Sequence, residues 1–263
     1  MGGLASALKR TNSPTIGDGS LPLVHLSDLL RKDSHSSEVL CWGNGRKNAF
    51  GIGSIDGDFR TPVLNQFLKG IPVRQVHAGA YHTFVLTDNA RVYGYGWNLA
   101  GQCGVGSEEE TIKVPTEVSR LRGEIIVNVA TGAMHSHFIT SKRVFYSVGS
   151  NSFGQLGNNS FTDARKPIAI TIPYPNEKVR LLACGDFFTV IVIGENLSYA
   201  WGRNNHCQTG ALRSNCTRKP EICIALNRRC ENVVFIACGS DHTAVLDVAG
   251  DVSMFGGNTC KQF

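Results

Sequence analysis

The chain has 263 residues, of which 42% are hydrophobic and 18% charged, and its formal net charge is only +5. That length can bury a sizeable core in one or two domains, and all-β chains of this size often form one. The small basic excess does not point to a nucleic-acid binder. No apolar stretch reaches membrane-spanning length, and residues 1–20 lack the hydrophobic run of a secretory signal. A cytoplasmic or nuclear protein is the default expectation.

Residues 1–37 carry Ser, Gly and Leu with scattered charges and read as a flexible N-terminal segment with one short helix over Leu21–Lys32. Met1-Gly2-Gly3-Leu4-Ala5-Ser6 fits the N-myristoylation pattern at Gly2, with Lys9-Arg10 nearby. The pattern is short and recurs by chance, and a single acyl chain would give only marginal, reversible membrane association.

From residue 38 to 263 the chain is a repeat domain. Gly43, Gly96, Gly149, Gly202 and Gly256 recur at intervals of 53, 53, 53 and 54 residues. Each follows Trp42, Tyr95, Val148, Trp201 or Phe255. Asn98, Asn151, Asn204 or Asn258 stands two residues on, and Gln102, Gln155, Gln208 or Gln262 four further. A second phrase, 17 residues before each of the last four glycines, contains Gly79, Gly132, Gly185 and Gly239, followed by His82, His135, Phe188 and His242. A fixed period near 50 residues marks stacked supersecondary units.

Within the second unit, Val73–His77, His82–Thr87 and Arg91–Tyr95 read as strands, and Pro115–Val118 as a fourth, edge-like strand where Pro is tolerated. Short β-branched runs bounded by Gly, Asn, Asp and Pro recur through the units, with no convincing amphipathic helix. The expected fold is all-β: a β-propeller of four-stranded blades, present as a partial or open arc of about four repeats. Complete units are expected at about 71–118, 123–172 and 177–224. The first unit lacks its leading strands and the last is cut short, so the blades are expected to come from a longer protein or to be completed by another chain. The glycines supply backbone freedom and close approach between blades; the Asn and Gln satisfy loop backbone groups.

The phrases VYGYGWNLAGQCGVG (92–106), YSVGSNSFGQLG (146–157), YAWGRNNHCQTG (199–210) and AGAYHTFVLT (78–87) resemble the regulator of chromosome condensation repeat family. The resemblance covers residues 38–263 and implies a propeller, usually of seven blades. It implies one of three roles: guanine-nucleotide exchange on a small Ran-type GTPase, chromatin association, or protein interaction. Exchange factors of the family use a protruding β-wedge, and the constant spacing leaves no unit room for one. A photoreceptor branch relies on tryptophans before the His-Thr phrase; Tyr81, Met134, Phe187 and Asp241 stand there instead. VLCWGNGRKNAFGIG (39–53) resembles a branch that serves as ubiquitin-ligase adaptors.

The remaining candidates weigh towards structure. The nine cysteines include no C-x-x-C pair, and Cys216, Cys223 and Cys230 are spaced by seven, which fits no common zinc pattern. No metal, cofactor or catalytic set is expected, and the chain reads as a non-enzyme. His82, His135 and His242 occupy one place per blade and should lie on different blades as hydrogen-bonded structural residues; His137 belongs to one unit only. Arg203, Arg213, Arg218, Lys219, Arg228 and Arg229 would form a basic patch if their loops share a face, although interleaved aromatics are lacking. The leading expectation is a protein-protein interaction module whose partner is a protein, a small GTPase among the candidates, with weaker support for nucleic acid or chromatin.

Overall fold

A computed structural model describes residues 6–8, 38–53, 57–211, 215–229, 232–259 and 261, with the backbone alone at 6–8, 228 and 229. The Gly2 acylation motif, the expected helix at Leu21–Lys32 and Arg213 lie outside the described residues. The strands form five antiparallel sheets. The first comprises β1 (Ser6–Leu8), β2 (Val39–Asn44) and β3 (Asp58–Leu64); the second β4 (Val73–Ala78), β5 (His82–Thr87), β6 (Val92–Trp97) and β7 (Thr111–Glu117). The third is β8 (Ile126–Thr131), β9 (His135–Thr140), β10 (Phe145–Gly149) and β11 (Ala164–Ile170). The fourth is β12 (Val179–Cys184), β13 (Phe188–Ile193), β14 (Leu197–Arg203) and β15 (Cys216–Ile222), and the fifth β16 (Val233–Cys238), β17 (His242–Asp247) and β18 (Val252–Gly256).

The sheets are the blades of a partial propeller, numbered here 1 to 5 in chain order. The first strands of successive blades, β4, β8, β12 and β16, adjoin one another, which makes them the inner strands and β7, β11 and β15 the outer ones. Neighbouring blades pack face to face, so the second strands are covered on both sides. All six residues of β5, β9 and β13 are accordingly buried, which is why they read as continuous rather than alternating apolar runs. Four apolar clusters fill the four blade boundaries: Val39, Phe50, Val85 and Tyr95 at blades 1/2; Phe84, Leu121 and Phe138 at 2/3; Phe145, Ile191 and Trp201 at 3/4; Phe188, Leu226 and Val245 at 4/5.

The structure departs from the sequence expectations in three places. Ser6–Leu8, from the segment ahead of the repeats, pairs with β2 through Ser6↔Cys41 and Leu8↔Val39. The fourth strand of blade 2 begins earlier, at Thr111, because Trp97 and Gly96 continue the ladder to Thr111 and Ile112. Among the described residues one α-helix is present, α1 (Ile224–Arg229). It buries Leu226 in the 4/5 core, as short 3-10 turns bury Leu68 and Leu121 at 1/2 and 2/3; six residues are too few to show amphipathic periodicity.

Gly96 shows what the motif demands locally. Its φ is +106°, and a Cβ there would lie 2.3 Å from Tyr81 O. The strand therefore leaves the ladder with its backbone pressed on the preceding hairpin, and Trp97 N donates to Tyr81 O at 2.8 Å. The same step recurs as Ser150 N to Met134 O and Arg203 N to Phe187 O, at 2.8 and 2.9 Å. The hairpin between the first two strands and the long loop after the third thus emerge at one end of every four-stranded blade. That end is the loop face.

Candidate functional site

The residues that define the repeat are spent inside the fold. Asn98 Nδ2 donates to Ser107 O and Glu109 O at 3.1 and 2.9 Å, while its Oδ1 accepts from Cys103 N at 3.1 Å. Asn151 does likewise towards Ser160 O, Thr162 O and Leu156 N. Gln102, Gln155 and Gln208 accept from Ala100 N, Phe153 N and His206 N at 2.9–3.0 Å. These side chains stitch their own loops, as buried backbone groups require.

The histidines bridge blades. His82 Nε2 lies 2.8 Å from Ser136 Oγ of blade 3, and His135 Nε2 lies 3.1 Å from Thr189 Oγ1 of blade 4. A Cβ at Gly79 would fall 2.2 Å from His82 Cε1 and 2.6 Å from Gly132 O, so the hairpin glycine gives each histidine and the next hairpin their room.

His137, read from sequence as outside the pattern, is fully buried and joins this set. Its Nε2 meets Thr189 Oγ1 at 2.8 Å and its Nδ1 meets Ser147 Oγ at 2.9 Å. Ser147 donates to Leu156 O at 2.9 Å, so it accepts from His137 Nδ1–H. His137 Nε2 then accepts the Thr189 proton, and Thr189 accepts from His135 Nε2–H, a directional chain with one proton per link.

Burial holds the histidines neutral, His82 down to about 4 and His135 to about 3, with His137 also far below the usual range. His135, His137 and Cys184 offer ligand atoms all within 4.8 Å of one another. The Thr189 hydroxyl stands where the two Nε2 atoms converge, and burial pushes the Cys184 thiol up. The arrangement is a hydrogen-bonded node between blades.

The rim of the loop face carries what the repeat does not use. At the 1/2 boundary Lys47 lies over Trp97 and pairs with Glu110 at 3.1 Å. At 2/3 Arg165 pairs with Glu108 at 3.0 Å and donates to Asn98 O, Leu99 O and Ser107 O at 3.0–3.2 Å. At 4/5 His206 faces Asp241 at 3.9 Å. At 3/4 the cations are stacked instead: Arg203 lies 5.5 Å over Phe153, and Arg218 5.3 Å over Phe161. Arg203 Nε donates to Asn205 Oδ1 at 2.8 Å. Neither guanidinium has a carboxylate partner among the described residues. Phe161 is 48% exposed, and Phe187 packs on Phe153 with ring centroids 5.3 Å apart.

The structure describes part of the basic patch read from sequence. Arg203 pairs with Cys216, so Arg203 and Arg218 share one face of blade 4 at its loop end. Arg228 and Arg229 close α1, which follows the opposite end of β15, so their backbone lies away from Arg203 and Arg218. Aromatics do interleave with the arginines. They come from blade 3, a full repeat earlier in the chain, where no local sequence pattern links them to the arginines. The readable signal was that Arg165 and Arg218 occupy one repeat slot, 53 residues apart.

These features define a β-propeller repeat protein with a loop-face surface. The regulator of chromosome condensation (RCC1) repeat model matches residues 36–86, 89–139, 145–192 and 197–246. The chain belongs to the RCC1 repeat family. It is 31% identical over 227 residues to the human probable E3 ubiquitin-protein ligase HERC6, covering 84% of this chain and 22% of that protein. It is 26% identical to the Arabidopsis thaliana ultraviolet-B receptor UVR8, covering 91% of this chain and 54% of the receptor. The structure of yeast RCC1 (Prp20) bound to Kap60 superposes with a TM-score of 0.71 at 22% identity, covering 86% of this chain and 55% of that one. Human WBSCR16 gives 0.69 at 24% identity, covering 85% and 60%. The chain thus spans about a fifth to three fifths of the length of these relatives.

Proposed function

We propose that the chain is a non-enzymatic protein-interaction module that docks its partner on the loop face at the blade 3/4 boundary. The observation that carries this reading is a division of labour. The repeated Asn, Gln and His side chains are buried and bonded within the fold, while Phe161, Arg203 and Arg218, which no other described blade matches as a set, stay at the surface. A scaffold that spends its repeated residues on itself leaves function to such loop residues, and aromatic and Arg side chains dominate binding energy at interfaces.

The likeness to HERC6 supports a recognition role beside the catalytic part of a ligase, since the chain covers 22% of that protein. The exchange reading draws on Prp20, whose structure was described with its binding to Gsp1p and histones. Against it, the three four-stranded blades keep one strand order and near-constant spacing, without an inserted wedge among the described residues.

Affinity capture from source-cell extract tests the reading, comparing the parent chain with a Phe161→Ala/Arg203→Ala variant and with Tyr174→Ala at the opposite end. Partner loss confined to the loop-face variant is expected; equal capture by all three overturns the assignment. Release of fluorescent GDP from a Ran-type GTPase is expected to stay at its intrinsic rate, and clear acceleration would favour the exchange reading.

A further inference from the structure

We infer that the blade 3/4 surface recognises an extended acidic segment with carboxylates two residues apart, Asp/Glu-x-Asp/Glu. The inference rests on the loop-face docking reading and adds its chemistry. At two boundaries the cation of the loop face is already neutralised: Lys47 by Glu110 and Arg165 by Glu108. The blade 3/4 boundary holds two guanidinium groups with no carboxylate among the described residues, each set over a phenyl ring.

Arg165 and Arg218 make the contrast sharp, because their backbones are placed alike. Gly101 lies under Arg165 Cα and Gly154 under Arg218 Cα, with an added Cβ 2.4 and 2.7 Å away. Gly106 N donates to Arg165 O at 2.9 Å, and Asn159 N to Arg218 O at 2.8 Å. Arg165 nonetheless turns back to three carbonyls and Glu108, whereas Arg218 stays exposed over Phe161. The loop beneath it decides this: 107–110 supplies Ser-Glu-Glu-Glu, and 160–163 supplies Ser-Phe-Thr-Asp, whose Asp163 is committed to Asn151 N at 2.7 Å.

Geometry sets the spacing of the ligand. Arg203 pairs directly with Cys216, and Arg218 stands two residues further on the same face of β15. In a regular ladder such diagonal neighbours have Cβ atoms about 7 Å apart; Arg218 stands at the edge of the register shift that lies opposite Ala200–Gly202. An extended peptide rises about 3.3 Å per residue, so side chains at i and i+2 project to one side about 6.6 Å apart. A guanidinium over an aromatic ring can keep an edge open for bidentate carboxylate bonds. Arg203 keeps its two terminal nitrogens for this while Nε donates to Asn205 Oδ1. The exposed part of Phe161 offers apolar cover beside them. The partner segment is therefore acidic and extended, with carboxylates as its charges.

The test uses the full chain and fluorescein-labelled nine-residue peptides in an anisotropy titration at low salt. One peptide carries a central Glu-Val-Glu, a second Gln-Val-Gln, a third Glu-Glu-Val, and a fourth a single phosphoserine. Saturable binding is expected for Glu-Val-Glu, about tenfold weaker for Glu-Glu-Val and absent for Gln-Val-Gln, and it should weaken as salt rises. Arg203→Ala and Arg218→Ala should each cost about tenfold, with Arg218→Lys recovering only part of the loss. Matching melting temperatures for the parent and each variant establish that the loss is not unfolding. No binding of Glu-Val-Glu, binding indifferent to the arginines, or tighter binding of the phosphoserine peptide would each overturn the inference. If extract capture still depends on Phe161 and Arg203 in those cases, the docking face stands and only its acidic ligand falls.

Discussion

The boundary between blades 2 and 3 and the boundary between blades 3 and 4 are built from the same repeat and finished differently. At the first, Phe84 meets Phe138 edge-on with centroids 4.9 Å apart, and Arg165 closes the rim on backbone carbonyls and Glu108. At the second, His137 takes the place of Phe84 one repeat on. It is tied to Thr189 and Ser147 and lies edge-on to Trp201 at 5.6 Å, while Arg203 and Arg218 stay at the rim over phenyl rings. The lesson is that the backbone motif tolerates either one buried histidine under a self-neutralised rim or two under a rim whose arginines have no carboxylate among the described residues, because the glycine and asparagine contacts are common to both.

The largest effect should be indifferent to that contrast. Gly149→Val and Gly96→Val each place a β-branched side chain at a φ near +107° with a Cβ 2.3 Å from a backbone oxygen. Loss of more than about 4 kcal/mol is expected for both variants. Urea titration reads it, and a normal midpoint for either variant would break the shared-backbone account.

Acid should then separate the two. His82, His135 and His137 are held neutral in the fold, with His82 near 4 and His135 near 3. The unfolded chain binds protons near 6.5, so stability is full above that pH and falls as pH drops towards 4. Each neutral histidine costs about 2 kcal/mol between pH 6.5 and 5. One lies at the 2/3 boundary and two at 3/4. Calorimetry at pH 7 and 5 should show a drop that His82→Ala and His137→Ala each reduce by about one histidine's share. A pH-independent melting temperature would count against the neutral node.

The smallest effect sharpens the rim comparison. Arg165→Ala should destabilise by about 1 kcal/mol or more, since Leu99 O loses its donor while Asn98 O and Ser107 O keep only Gly101 N and Asn98 Nδ2. Arg218→Ala, at the same repeat slot, should stay within about 0.5 kcal/mol, as exposed residues without such bonds do. Equal losses in denaturant midpoints would erase the distinction between a structural and an available arginine.

Much of this was legible in the chain. The period of 53 residues located the blades, and His82–Thr87 is a strand with the bounds read from sequence. Regular spacing survives into structure because each repeat makes the same local turns and the same neighbour contacts. Pairings across blades were not legible. Phe153 under Arg203, Phe161 under Arg218 and Thr189 between two histidines all join residues about one repeat apart.

The sequence by itself therefore determined the class of fold, the number and phase of complete blades, and the internal duty of the Asn-Gln phrase, because those depend on local backbone chemistry repeated in register. Only the tertiary structure decided that His137 belongs to a buried node, that the backbone of Arg228 and Arg229 lies away from Arg203, and that Arg165 is neutralised where Arg218 has no carboxylate among the described residues. Those outcomes depend on which side chain of the neighbouring blade arrives opposite, and packing between blades, unlike the period, has no signature within a single repeat.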